Sequence, residues 1–139
     1  MIAVSTLQAM AKQVQMRHHI DEKILCCPML DARRMEVYHA IYDSQLNEIQ
    51  KPTPLIFEKE VLNDYSGQKL LYFGDGAEKG IEFLNDPKHQ FIDDVKTSAL
   101  GMGELAFEKF QKNDFEDVAY FEPFYLKDVR VTVSKKKYV

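Results

Sequence analysis

The stretch from Lys23 to Asp43 sets the tightest limit on how this chain can fold. Lys23 to Leu30 is an apolar run containing Cys, Ile and Leu, which reads as a buried strand. Asp31-Ala32-Arg33-Arg34 then turns the chain. From Met35 to Asp43 the pattern alternates. Met35, Val37, His39 and Ile41 fall on one side, and Glu36, Tyr38, Ala40 and Tyr42 on the other. A period of two is the signature of a strand, so the two segments predict a hairpin. A chain committed to that hairpin needs a sheet, and the sheet needs a cover.

The cover is predicted to be helical. Ser5-Thr6-Leu7-Gln8 places a hydroxyl at an N-cap and a Gln three residues on, a capping box. Leu7, Met10, Ala11 and Val14 follow at helical spacing, predicting a helix over Thr6 to Arg17. Met1 to Val4 reads as the tail of a strand. A second helix is predicted over about 97–111, with Ala99, Met102, Leu105, Ala106 and Phe110 as its buried stripe. Gly101 and Gly103 inside it each cost about 1 kcal/mol relative to Ala. Close packing on a sheet or a partner is the physical reason to tolerate them.

Between the helices, Ser44 to Gln50 reads as a turn and a short strand, and Lys69 to Phe73 and His89 to Ile92 as strands. Pro52 and Pro54 predict a bend, after which Leu55 to Glu58 resumes as an edge strand. Glu60 to Tyr65 reads as a short helix at best, and Ala77 to Leu84 as helical. Residues 131–139, with Lys135-Lys136-Lys137, read as a frayed tail. The expected fold class is α/β: one domain over 1–139, a mixed sheet with flanking helices.

Composition removes several classes. With 139 residues, 45% of them apolar, the chain can bury one core. Its apolar runs fall far short of the ~20 residues needed to span a bilayer. The opening residues lack the basic and apolar regions of a secretory signal. The net charge of −4 offers no global field to recruit nucleic acid. Adjacent Cys26 and Cys27 would point to opposite faces of a strand, so they read as two reduced core thiols in a cytoplasmic protein.

Four features could carry chemistry. In the block Asp31-Ala32-Arg33-Arg34-Met35-Glu36-Val37-Tyr38, Arg33 or Arg34 could clamp a carboxylate or phosphate, or the charges could pair locally in a solvated turn. Gly74-Asp75-Gly76 could let a backbone approach a ligand, or could be a tight turn; it matches neither a Walker loop nor a dinucleotide fingerprint. His18 and His19 sit at a helix C-terminus, where a cation is favoured, and no HxxxH pair offers a metal site. Lys127, Arg130 and Lys135 to Lys137 make the end of the chain basic, which suits RNA phosphates or plain solvation. Acids such as Asp31, Asp75, Asp93 and Asp94 could converge on metals as in a nuclease.

The order of several blocks resembles the TsaB family, also called YeaZ, over nearly all 139 residues. These are Ile2-Ala3-Val4-Ser5-Thr6-Leu7, then the Asp31 to Tyr38 block, then Phe73-Gly74-Asp75-Gly76-Ala77, then Pro123-Phe124-Tyr125-Leu126-Lys127. Lys127 stands where that family often has Arg. The family's N-terminal lobe, with its Asp-Thr-Ser strand and Pro-Gly-Ser-Phe-Thr-Gly-Leu-Arg motif, has no counterpart here, so the chain is expected to correspond to the C-terminal lobe.

The resemblance implies an actin-like, RNase H-like fold and a non-catalytic scaffold in making threonylcarbamoyladenosine at position 37 of tRNA. It implies TsaD-like and TsaE-like partners, tRNA contacted indirectly, and no cofactor. The binding candidates are Asp31, Arg33, Arg34, Glu36, Tyr38, Gly74, Asp75 and Gly76. A glycoprotease-like or RNase H-like hydrolase and a nucleotide- or RNA-binding module are the alternatives. A lone lobe would bind a TsaD-like partner weakly and tend to self-associate through uncovered apolar surface.

Overall fold

The computed structural model describes residues 1–59 and 61–127. Helix α1 (Thr6–Arg17) precedes strands β1 (Ile24–Asp31), β2 (Glu36–Tyr42) and β3 (Glu48–Ile56). Strands β4 (Lys69–Phe73) and β5 (His89–Ile92) follow, and then helix α2 (Ala99–Gln111). The sheet order is β3-β2-β1-β4-β5. β1, β2 and β3 form an antiparallel meander, while β4 and β5 run parallel to β1. The α/β mixed sheet expected from sequence is what forms, and β1 lies at its centre. The expected tail at 131–139 lies outside the described residues.

Alternation decides which residue faces which layer. Cys26, Ala40, Tyr42 and Phe73 point to the α1 side and pack with Leu7, Met10, Ala11 and Val14. Cys27, Met29, Val37, Ile41, Leu70 and Tyr72 point to the other side, where Phe57, Ala77 and Leu84 from the connecting loops cover them. The two cysteines are free and fully buried on opposite faces. Burial, helped by the Asp43 charge, pushes the Cys26 thiol up to about 12, and burial raises Cys27 as well. Neither is a nucleophile at neutral pH.

The hairpin tip holds two consecutive non-glycine residues in the left-handed region, Arg33 (φ 69°) and Arg34 (φ 48°). They lie in the connection between Asp31 and its partner Val37, where the Glu36 N–H closes a turn on the Arg33 carbonyl at 3.2 Å. Arginine at both positions accepts roughly 1–2 kcal/mol of strain per residue. The Asp31 carboxylate offsets part of it by accepting the Arg33 N–H at 2.7 Å.

Five sequence expectations need correction. Residues 1–4 form no strand; the Met1 carbonyl accepts the Glu116 N–H at 2.9 Å. The prolines do not interrupt β3. It is an edge strand, Pro54 sits opposite Tyr38, and the register shifts between His39 and Ile41, so Pro52 falls in a bulge that asks nothing of its nitrogen. Past Gly80 the expected 77–84 helix does not continue, leaving the 3₁₀ turn Ala77–Gly80. The capping box is half made: Ser5 accepts the Gln8 N–H at 3.4 Å, but the Gln8 amide turns to the Leu46 carbonyl. The stripe of α2 is displaced too. Gly101 and Leu105 are its buried residues, Ala106 is half-buried, and Ala99, Met102 and Phe110 are exposed.

Gly101 explains that displacement. A Cβ there would stand 2.1 Å from the Ala9 carbonyl oxygen, so α2 crosses α1 backbone to backbone at this point. A Cβ at Gly103 would meet nothing within 4 Å outside its own helix backbone among the described residues. Two glycines that look alike in sequence therefore differ in kind.

His39, 2% exposed, anchors a polar relay inside the sheet. Its Nδ1 lies 2.9 Å from the Thr53 carbonyl, which can only accept, so Nδ1 carries the proton. Nε2 then accepts from the Gln50 amide at 3.0 Å, and Gln50 Oε1 accepts the Tyr65 hydroxyl at 2.7 Å. Each member is satisfied only while the imidazole is neutral. Burial lowers the His39 pKa, opposed in part by the Thr53 bond.

Two predictions follow from this packing. Gly101→Ala should destabilise the chain by about 1–3 kcal/mol through overpacking, whereas Gly103→Ala should stabilise it by up to about 1 kcal/mol; urea unfolding of both variants measures the signs, and equal signs would refute the close crossing. The unfolded chain binds more protons at His39 than the folded one just below the ordinary histidine value of about 6.5. Stability should therefore fall as pH drops from 7 to 5, and His39→Gln should flatten that fall. A wild-type urea midpoint that does not move over this range would refute the relay's dependence on neutral His39.

Candidate functional site

The Asp31 block and the Gly74 block, 44 residues apart at Asp31 and Asp75, meet in space because β1 and β4 run parallel side by side. Both strands end at the same edge of the sheet, with Pro28 opposite Phe73, and the two blocks continue from those ends. Ligand crevices of α/β sheets form outside such strand ends.

Two of the three carboxylates gathered there, Asp31 and Glu36, are held by lysines. Asp31 Oδ1 takes the Lys79 ammonium at 2.5 Å in addition to the Arg33 N–H. Lys79 and then that N–H hold the Asp31 carboxyl below the ordinary aspartate range. Asp75 Oδ1 accepts the Asp31 N–H at 3.1 Å, so the second acid caps the strand end. Glu36 pairs with Lys127, whose ammonium also sits 5.7 Å above the centre of the Tyr38 ring. This is a cation–π contact. It joins the Asp31 to Tyr38 block to the Pro123 to Lys127 block.

The glycines serve packing. Gly74 has φ 115°, and a Cβ there would stand 2.2 Å from the Met29 carbonyl oxygen. At Gly76 a Cβ would stand 2.6 Å from Val37 Cγ1. The turn is pressed against β1 and β2, so the space a ligand cradle would use is filled by the chain's own backbone and Val37.

Arg33 and Arg34 differ from their acidic neighbours. Both are exposed, and among the described residues neither guanidinium enters an ion pair. Among the described residues the hairpin therefore presents two unpaired forks to solvent, next to Asp31 and Glu36, which are paired with lysines. Among the described residues no group of three or more His, Cys, Asp or Glu is placed to hold a metal ion. Asp93 and Asp94 lie beyond β5, apart from this cluster; Asp94 donates its N–H to Asp93 Oδ1 at 2.7 Å.

The sequence reading missed Lys79. Asp75 and Lys79, four apart, were legible as neighbours, but the partner that counts, Asp31, is 48 residues away. It also missed Asp86, whose carboxylate accepts the Gly67 N–H at 2.7 Å, the Lys88 N–H at 2.9 Å and the Ser66 hydroxyl at 3.1 Å. The Gly67 bond leads in lowering its pKa. Asp86 is a loop staple, a role that Asn85-Asp86-Pro87 signals only as a turn. Among the described residues no helix is long and apolar enough to cross a membrane.

No family model matches the chain, and no curated protein matches it either. Solved structures do. One is described as "an uncharacterized protein with similarity to peptidase YEAZ from Pseudomonas aeruginosa". It superposes with a TM-score of 0.74 at 18% identity, covering 91% of this chain and 58% of that one. YeaZ from Pseudomonas aeruginosa superposes with a TM-score of 0.73 at 18% identity, covering 90% of this chain and 58% of that one. This chain thus spans little more than half the length of the structures it matches. Over that span its mixed five-stranded sheet with two helices has the YeaZ fold.

Proposed function

We propose that this chain is a TsaB-like (YeaZ-like) lobe that acts as a non-catalytic scaffold in the formation of threonylcarbamoyladenosine at position 37 of tRNA. In this reading it works through TsaD-like and TsaE-like proteins and touches tRNA only through them. The observation that carries it is the state of the Asp31 to Tyr38 hairpin within the shared fold. Its acids Asp31 and Glu36 are committed to Lys79 and Lys127, while Arg33 and Arg34 are exposed and enter no ion pair among the described residues. Carboxylates held in ion pairs are poorly suited to general acid–base work at neutral pH. Free guanidinium forks suit the recognition of a partner's carboxylates. The word peptidase in the description of one matching structure belongs to that protein.

The test is nucleoside analysis of bulk tRNA from the source cell after deletion of the coding sequence. The threonylcarbamoyl nucleoside should fall several-fold and return when the chain is restored. The variant Arg33→Glu/Arg34→Glu should restore it less well than Asp75→Asn. Unchanged nucleoside levels after deletion would overturn the proposal. So would peptide hydrolysis by the purified chain that Asp31→Asn abolishes.

A further inference from the structure

A concavity lies on the α1 side of the sheet and reaches the base of the hairpin at Leu30, Tyr38 and Lys127. It is a groove of about 720 Å³ between the N-terminal segment Ala3–Leu7 and the segment 121–127. Its volume is in the range of ligand-sized sites. Tyr38 and Pro52 line its floor, and Phe121, Phe124 and Tyr125 its wall. Phe124 and Tyr125 are 78% and 73% exposed, which is costly for side chains of that size unless something covers them.

The charges around the groove say what kind of occupant fits. Five charged side chains line it: Glu48, Glu116, Glu122, Lys109 and Lys127. Both lysines are already committed, Lys109 to Asp114 at 3.3 Å and Lys127 to Glu36. The three glutamates enter no ion pair among the described residues; Glu48 and Glu122 are exposed and Glu116 is half-buried. The groove is therefore apolar and aromatic with a net negative rim. That rim repels phosphate, which disfavours nucleic acid and anionic lipid. The chain also displays how this wall treats a cation: the Lys127 ammonium rests on a carboxylate and over the Tyr38 ring.

We propose that this groove docks a polypeptide segment of a partner protein in which basic side chains alternate with aliphatic or aromatic ones. The apolar side chains of the segment cover Phe124, Tyr125 and the floor at Tyr38 and Pro52. Its lysines or arginines pair with Glu48, Glu116 and Glu122. Charge complementarity selects the partner and the aromatic surface supplies the burial. The groove shares Tyr38 and the Glu36-paired Lys127 with the candidate site, but neither Arg33 nor Arg34 lines it, so this proposal does not rest on the tRNA reading.

The test is fluorescence anisotropy with the full chain and two labelled 12-residue peptides. One alternates Lys with Leu and Phe; the other has the same apolar pattern with Glu in place of Lys. The basic peptide should bind at least tenfold more tightly than the acidic one. Glu48→Gln/Glu116→Gln/Glu122→Gln should cost at least tenfold in its affinity. The control Glu22→Gln/Glu78→Gln/Glu82→Gln, which removes as much charge away from the groove, should cost less than twofold. Five of the six positions are exposed, Glu116 is half-buried, and Glu→Gln keeps the shape of the side chain, so both variants should melt like the parent. Equal loss in the two variants, equal binding of the two peptides, or no binding of the basic peptide would overturn the proposal. Self-association abolished by the groove variant alone would assign the groove to a second copy and also overturn it. Competition for the groove by tRNA would do the same.

Discussion

Strand β1 carries the architecture because it has neither a free edge nor a free face. β2 pairs with it antiparallel, β4 pairs with it parallel, and the two cores press on it from opposite sides. From Cys26 to Met29 every residue is buried. Each bonded edge satisfies backbone groups that would otherwise cost free energy in a dry interior. Each buried side chain adds to the hydrophobic term. Removing β1 from the sheet would expose both cores at once, whereas an edge strand would expose one margin.

The hairpin inherits its position from that strand. β1 ends at Asp31, and the backbone there is held by the Asp75 carboxylate from the β4 side. Lys79 closes the other side of the same residue. The two strained arginines are thereby mounted on a firm base, and the strain is compensated by hydrogen bonds one residue away. Asparagine or glycine would enter the left-handed region at less cost but would present no guanidinium groups.

Much of this was legible because local physics repeats over short distances. The α1 stripe and the β2 alternation follow from periods of 3.6 and 2, and the structure keeps both. The buried fate of Cys26 and Cys27 followed from adjacency in a strand. Pro52 and Pro54 were harder to place. Their cost depends on whether a strand has a neighbour and where it bulges, and both are long-range facts. The α2 stripe failed for a related reason. Its hydrophobic pattern named the large residues, but the contact that sets its rotation is made by Gly101, which has no side chain.

By itself, the sequence determined the helix starts, the hairpin, the mixed sheet and the polar character of the Asp31 to Tyr38 turn, since each rests on residues within one or two turns of one another. Tertiary structure alone decided the chemistry of the candidate site. Whether Asp31 and Glu36 stand as free carboxylates or as ion pairs depends on Lys79 and Lys127, 48 and 91 residues away. Only strand order and the path of the 121–127 segment bring them there. Electrostatic partnership acts over a few ångströms of space and is indifferent to separation along the chain. A linear pattern can show which charges exist, and the fold alone settles which of them are spent.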